Sequence, residues 1–188
     1  MRLKKKIRLL IAADGGAGSG KTTASKMIAK KYGLKLLSSG LLYRYVAYKL
    51  LKIKKIRYRN ELLKKITKNI KLSDLKNKNL YNIKVTEYAS KIAKIKIVRN
   101  LLKKYQIRFS RNRLVIIEGR DIGTVIIPNA DLKLFFVCPL NVKAKRRFIE
   151  YRKSNKKISF KEVRNAIKLR DLIDKKEKLA LYDPPKVL

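Results

Sequence analysis

The sequence contains no histidine, a single cysteine and few acidic residues: among 188 residues, Asp and Glu number 13 against 51 Lys and Arg. Without histidine, imidazole catalysis and histidine-based metal sites are excluded, and one cysteine excludes a disulfide within the chain. Cys138 lies in the apolar run 132–138, so we expect a small buried core residue rather than a nucleophile or metal ligand. No apolar run approaches the roughly 20 residues that span a bilayer, so no membrane association is expected.

The net charge of +38 suits anionic partners such as nucleotides, nucleic acid or acidic membrane. Lys, Ile, Asn and Tyr are all abundant, as a codon bias toward adenine and thymine would also produce, and we interpret most of the charge as a solvated surface. Nucleic acid is therefore expected to bind only nonspecifically, if at all. The basic residues 1–6 and apolar residues 7–13 faintly resemble a signal peptide. Because cleavage there would destroy the glycine-rich loop that follows, a cytoplasmic location is expected.

The length fits one domain, and apolar runs that alternate with helical patterns predict an α/β fold, a parallel sheet flanked by helices. The two later apolar runs are typical of strands buried on both faces. Strands are expected at 7–13, 34–37, 114–117 and 132–137. Helices are expected at 22–32, ended by Gly33, at 41–51 after a turn at 38–40, over 88–105 with an interruption or extension around Lys96, and over 140–181 with a break at 154–157; residues 52–79 form an excursion from the core.

The most informative motif is G-x-x-x-x-G-K-T at residues 15–22, between the first strand and a helix start. Its glycines allow successive N–H groups to face one anion, and the helix adds its positive end. In such a loop Lys21 reaches the β- and γ-phosphates of a nucleotide, and the Thr22 hydroxyl holds Mg²⁺. The loop therefore predicts ATP binding by Gly15, Gly16, Ala17, Gly18, Ser19, Gly20, Lys21, Thr22 and Thr23.

A second cluster, residues 118–125, follows the strand 114–117. The carboxyl ends of strands in open parallel sheets are where ligands bind. Glu118 is placed where a carboxylate can hold Mg²⁺ through water, and Arg120 offers a planar fork suited to phosphate.

Four segments of the chain resemble the bacterial cytidylate kinases, a family of P-loop nucleoside monophosphate kinases. The most specific is Gly119 to Val125, G-R-D-I-G-T-V; the others are Asp14 to Thr22, Ser39 to Arg44, and Ala89 to Ala93 with Arg99. The order and approximate spacing match from about residue 7 to residue 174.

The resemblance implies transfer of the ATP γ-phosphoryl to CMP or dCMP, with Mg²⁺ and by a monomer. Its catalytic residues would be Lys21, Arg120 and Arg170. Cytosine offers O2 and N3 as acceptors and N4 as a donor, so an Arg and a carboxylate complement it, whereas uracil reverses two of these positions and leaves buried groups unpaired. The implied contacts are Ser39 with the ribose, Arg44 and Arg120 with the acceptor phosphate, Ser90, Arg99 and Asp121 with cytosine, and Asp174 with the ribose.

The implied architecture is one P-loop kinase domain over 1–188. Its core would be about 1–51 and 100–188, with a reduced monophosphate-binding insertion at about 52–99 and a short helical lid at about 147–162. The basic run 143–147 lies beside that lid, so one or more of its side chains would close over the phosphates.

Several positions depart from the family pattern. Gly16 replaces a frequent proline, and Glu177 stands where the family usually has an arginine, for which Lys175, Lys176 or Lys178 would substitute only as point charges. The family's last strand and helix are expected to be absent. The alternatives are another nucleoside monophosphate kinase, or a truncated or relic P-loop protein that binds RNA.

Overall fold

The computed structural model describes residues 7–53, 60–153 and 158–176, without the side chains of residues 153 and 173–176. Strands and helices alternate over 9–52 and again over 114–153, as the sequence predicts, whereas the described residues of 39–110 form helices and turns only. The elements are β1 (Leu9–Gly15), α1 (Lys21–Tyr32), β2 (Lys35–Ser38), α2 (Ser39–Lys52), α3 (Asn60–Lys68), two 3₁₀ turns (Asp74–Lys76 and Lys78–Tyr81), α4 (Ile83–Ile92), α5 (Lys96–Ser110), β3 (Leu114–Gly119), a π-helix (Ile122–Ile126), β4 (Leu132–Phe136), α6 (Leu140–Lys153) and α7 (Phe160–Lys176).

The four described strands form one sheet in the order β2-β3-β1-β4. Strand β1 pairs in parallel with both neighbours, and Asp14 lies opposite Gly119 of β3 and Phe135 of β4. Because parallel strands end at the same edge of a sheet, the segments that follow β1 and β3 emerge side by side.

The two inner strands form the centre of the core. All residues of β1 and β3 after the first are buried, as expected for strands covered on both faces. A hydrophobic cluster of Ile11, Ala13, Ala29, Leu34 and Ile116 joins these strands to α1 and to the chain that follows it. This packing confirms the parallel α/β sheet predicted from the sequence.

The outer strand β4 differs from its prediction. We expected a fully buried strand, but β4 lies at the sheet edge and leaves Leu132 and Phe135 each 44% exposed. Its apolar composition does not distinguish an edge from a centre, because neighbours that come from distant sequence decide burial. The buried position expected for Cys138 is wrong for the same reason, since this cysteine is only half-buried after β4.

Helix boundaries also differ from the predictions. The expected turn at 38–40 is the end of β2 and the first turn of α2, which begins at Ser39. The single pattern over 88–105 is two helices, α4 and α5, interrupted at 93–95, and α5 continues to Ser110. Helices α6 and α7 confirm a helical segment after β4, while the expected break at 154–157 and the helical residues 177–181 lie outside the described residues.

The described residues fall into two compact units. One contains the residues up to Leu36 and those from Leu114 onward, and the other is Leu37–Arg113. In the second unit α2 packs against α4, and α3 against α5. No described helix has the length and apolar character needed to cross a membrane.

A buried carboxylate connects the first strand to the segment after β3. Asp14 is fully buried, and its two oxygens accept hydrogen bonds from the N–H groups of Ile122 (2.9 Å) and Gly123 (2.8 Å). Loss of hydration on burial raises the pKa of Asp14 to about 6. The nearby Asp121 adds to this rise, and the two amides and Lys21 oppose it without cancelling it.

Gly33, which ends α1, allows a test of backbone conformation alone. It has φ 72°, and no described atom lies within 4 Å of the position its Cβ would take. We expect Gly33→Ala to lower the free energy of unfolding by about 1 kcal/mol, because alanine is strained in the left-handed region. Gly33→Asn should cost less, since asparagine tolerates that region. Urea unfolding measures both, and equal stability of all three proteins would contradict the assignment.

Asp14 allows a test of pH dependence. Because its pKa in the folded protein lies above the ordinary value of 3.8, the folded state holds more protons between pH 3.8 and 6. This carboxyl should therefore lower the free energy of unfolding as pH rises through that window, by as much as about 3 kcal/mol. Asp14→Asn lacks this contribution. Urea unfolding of both proteins at pH 4 and pH 7 should give a stability difference that changes with pH; a constant difference would contradict the raised pKa.

Candidate active site

The loop between β1 and α1 has the backbone of an anion site. Gly18 and Gly20 have φ 75° and 92°, values that favour glycine, and Gly20 caps α1 with no side-chain hydrogen bond to the first amides of the helix. The Ser19 hydroxyl oxygen is buried without a hydrogen-bond partner among the described residues. Uncapped amides at a positive helix end and an unsatisfied hydroxyl together fit the oxygens of a phosphate.

Close packing around this loop explains two further glycines. A Cβ on Gly15 would lie 2.7 Å from the carbonyl oxygen of Phe136, the last residue of β4. One on Gly16 would lie 3.1 Å from Oδ1 of Asp171, in α7. A side chain at Gly15 would therefore force the backbone of β4 to shift, and one at Gly16 would press tightly against the Asp171 carboxylate.

The polar side chains that complete the motif, Lys21 and Thr22, lie beside the loop. The Lys21 ammonium donates a hydrogen bond to the Gly16 carbonyl (3.0 Å), so this charge lies over the loop rather than in solvent. The Thr22 hydroxyl lies 3.0 and 2.8 Å from the two carboxylate oxygens of Glu118 at the end of β3. Both groups are the ones expected from the sequence to hold Mg²⁺, and the fold brings them into contact with each other.

This pair of groups fits a magnesium site. Hydroxyl and carboxylate oxygens are the hard ligands that Mg²⁺ prefers, and the ion commonly takes one or two protein ligands and completes its shell with water and substrate phosphates. No cluster of three or more acidic, cysteine or histidine side chains occurs among the described residues, so a wholly protein-made cage is not found in that part of the chain.

Two residues of the basic run 143–147 reach the loop. Lys143 is nearly buried and forms an ion pair with Asp171. Arg146 donates a hydrogen bond to the Gly18 carbonyl (3.1 Å). Arg147 instead pairs with Glu150 (2.8 Å) within α6, and Lys145 is exposed.

The residues expected to bind the acceptor are divided between the two units. Arg120 and Asp121 lie in the first unit, between the end of β3 and the π-helix. The others belong to the second unit. Ser39 is buried in the first turn of α2, the Arg44 guanidinium lies 5.4 Å from the Tyr81 ring centre, Ser90 donates to the Thr86 carbonyl (3.2 Å), and Arg99 lies in the first turn of α5.

On helix α7, the residue that contacts the loop differs from the one expected from the sequence. Arg170 lies on this helix, but the side chain of Asp174, its expected partner four residues on, lies outside the described residues, as do Glu177 and Lys178. The ion pair that does approach the loop uses the adjacent Asp171, which the sequence analysis missed. Lys143 is 28 positions away, and no local pattern reports a contact that depends on how α6 and α7 pack.

Asp14 was also missed as an individual residue. A signal was present, because a carboxylate that ends an apolar run in a buried strand must find donors. The identity of those donors, two amides more than 100 positions later, depended on the pairing of β1 with β3.

The comparisons with known proteins agree with one another. A family model described as cytidylate kinase matches residues 11–186. A cytidylate kinase from Fusobacterium nucleatum is 37% identical over 182 residues, covering 90% of this chain and 83% of that protein. One from Thermosipho africanus is 39% identical over 185 residues, covering 93% and 82%.

A solved structure supports the fold. An uncharacterized protein from Eubacterium ventriosum matches with a TM-score of 0.51 at 16% identity, covering 90% of this chain and 77% of the other. The likeness in structure thus supports the α/β architecture, and the likeness in sequence adds the family. Because the family model spans nearly the whole chain and both relatives match over most of their own length, this chain belongs to the cytidylate kinase family.

Proposed function

We propose that this enzyme transfers the γ-phosphoryl group of ATP to CMP or dCMP in the cytoplasm, giving ADP and CDP or dCDP. The observation that carries the proposal is the pairing of β1 with β3, whose carboxyl ends lie side by side. The phosphate loop follows one strand, and Arg120 and Asp121 follow the other. A donor phosphate and an acceptor phosphate can therefore be held at one edge of the sheet.

On the donor side, the amides of residues 15–20 and the start of α1 would hold the ATP phosphates. Lys21 lies over the loop and would neutralise charge on the transferring group. Thr22 and Glu118 would hold Mg²⁺, which supplies further positive charge to the phosphate oxygens when bound.

On the acceptor side, we infer that Arg120 and Arg44 bind the CMP phosphate. Arg99, Ser90 and Asp121 would read cytosine, with the arginine facing the ring acceptors and the carboxylate facing the N4 amino group. Ser39 and Asp174 would contact the ribose, and Arg170 the phosphates. An unpaired buried polar group costs about 1 to 3 kcal/mol, so the two reversals that uracil presents would discriminate strongly against UMP.

The transfer needs no strong general base. The acceptor is an ionised phosphate, so catalysis consists of holding donor and acceptor in line and stabilising charge on the transferring group. The absence of histidine from the whole sequence is compatible with this chemistry.

We also infer that Lys143 supplies part of that positive charge. It is nearly buried, its ammonium would lie 3.6 Å from a Cβ on Gly16, and its counter-ion Asp171 lies at the same point of the loop. Bound phosphates would compete with Asp171 for this lysine. Lys143 would thereby take the role expected from the sequence for Lys175, Lys176 or Lys178, whose side chains all lie outside the described residues.

Steady-state phosphorylation assays with ATP and Mg²⁺ over CMP, dCMP, UMP and AMP test the proposed function. We expect CMP or dCMP to be preferred over UMP and AMP by at least about 100-fold in kcat/KM. Lys21→Met should lower kcat at least about 100-fold, because a positioned charge is lost from the transferring group. Lys26→Met, an exposed lysine of the same helix, is the matched control.

Two outcomes would contradict this function. Equal turnover of AMP and CMP would favour a nucleoside monophosphate kinase of other specificity. No turnover of CMP by a folded sample, together with tight RNA binding that CMP does not displace, would favour an RNA-binding protein.

Replacing each member of the ion pair beside the loop by a neutral residue tests the role of Lys143. In Lys143→Met the Asp171 carboxylate remains without this counter-ion beside the phosphates, so we expect the KM for ATP to rise about tenfold or more, with less change in the KM for CMP. Asp171→Asn leaves the lysine without its carboxylate and should lower the KM for ATP. Lys145→Met on the exposed side of α6 is the control. A rise in the KM for ATP in both variants of the pair would mean that the pair acts only by holding α6 against α7.

A further inference from the structure

Asp14 makes side-chain hydrogen bonds in addition to the backbone pairing of its strand. Its two oxygens accept hydrogen bonds from consecutive amides, Ile122 and Gly123, at the start of the π-helix. The first amides of any helix lack partners within the helix, and the side chain of the residue before this one, Asp121, makes no capping hydrogen bond to them. A carboxylate from a different strand therefore caps the π-helix.

The position of this cap defines two fixed points along the chain. Gly119 is paired with Asp14 in the ladder of β3 and β1, and the next contact of Asp14 is at Ile122. Only two residues lie between these points, Arg120 and Asp121. They are the residues to which the proposed function assigns the acceptor phosphate and cytosine.

We propose that Asp14 is a positioning residue, which holds the Arg120–Asp121 segment against the end of β1 and so fixes the acceptor site relative to the phosphate loop. The inference rests on the proposed function, since it expects a change at Asp14 to weaken binding of CMP more than binding of ATP. Asp14 touches neither substrate in this scheme and acts through the backbone of the segment that does.

A carboxylate suits this task better than an amide. Both oxygens of an ionised aspartate accept, so two adjacent N–H groups are satisfied at once. The side chain of Asn offers one oxygen and an NH₂ group, and the latter would face an N–H donor. Since the pKa of Asp14 is about 6, the group is ionised at neutral pH despite its burial.

Asp14→Asn tests the inference, and Asp131→Asn is its control. Asp131 also accepts a hydrogen bond from a backbone amide of β1, Leu10 (2.7 Å), but toward the opposite end of that strand. We expect Asp14→Asn to raise the KM for CMP about tenfold or more and to lower kcat, with the KM for ATP changed less than about threefold. Asp131→Asn should leave both KM values within about twofold.

A measurement on the unaltered enzyme covers the case in which Asp14→Asn does not fold. The charged groups that face Asp14 are Asp121 and Lys21. Lowering the pH through 6 protonates Asp14 and removes one acceptor, so the KM for dianionic CMP, corrected for the measured ionisation of CMP itself, should rise several-fold. The KM for ATP, corrected in the same way, should rise less.

Each outcome decides between the inference and its alternatives. A folded Asp14→Asn enzyme with unchanged kinetics, or with equal rises in both KM values, would overturn the positioning role, as would a flat corrected pH profile. If the unaltered enzyme phosphorylates no CMP, the proposed function fails first. Turnover by the unaltered enzyme with no selective change in the variant refutes this inference alone.

Discussion

The parallel pairing of β1 with β3 is the constraint on which the site depends. It places Asp14 opposite Gly119, so the phosphate loop and the Arg120–Asp121 segment leave the sheet at one edge. Burial of both strands on both faces holds this pairing, because the apolar residues of each strand lose water only in a packed sheet. A slip of one residue would turn every side chain of the strand to the opposite face and remove Asp14 from its amide donors.

In a chain of such high positive charge, the few carboxylates near the loop hold specific donors and cations in place. Among the described residues, Asp14, Glu118 and Asp171 lie around the loop, and each has a different partner. Asp14 accepts from backbone amides, Glu118 from the hydroxyl of Thr22, and Asp171 from the ammonium of Lys143. The surplus of lysine makes cations available anywhere on the surface. The positions of the carboxylates therefore decide which cations and donors are held at the site.

The parts of the fold that depend on local sequence were predicted, and those that depend on packing were not. The strand-loop-helix unit and the Gly33 cap follow from residue types within a few positions. The exposure of β4, the π-helix after β3 and the Lys143–Asp171 pair follow from contacts between distant segments. The same division applies to the site: the loop motif and the cluster after the strand 114–117 are enough to predict roles for Lys21, Thr22 and Glu118, whereas the partners of Asp14 required the register of the sheet, and the donor roles are still predictions. The roles of the acceptor residues remain predictions.

The departure at Gly16 has a physical explanation in these contacts. A proline is frequent here in the family that the sequence resembles, and this chain has no side chain at the position. A Cβ at this position would lie 3.1 Å from Oδ1 of Asp171 and 3.6 Å from the Lys143 ammonium. The first distance is shorter than most contacts that a Cβ makes, and the second is an ordinary van der Waals contact. Glycine at this point therefore lets the ion pair lie against the loop. The glycine in the loop and the cation supplied by α6 are thus two parts of one arrangement, which places a nearly buried lysine beside the glycine-rich loop.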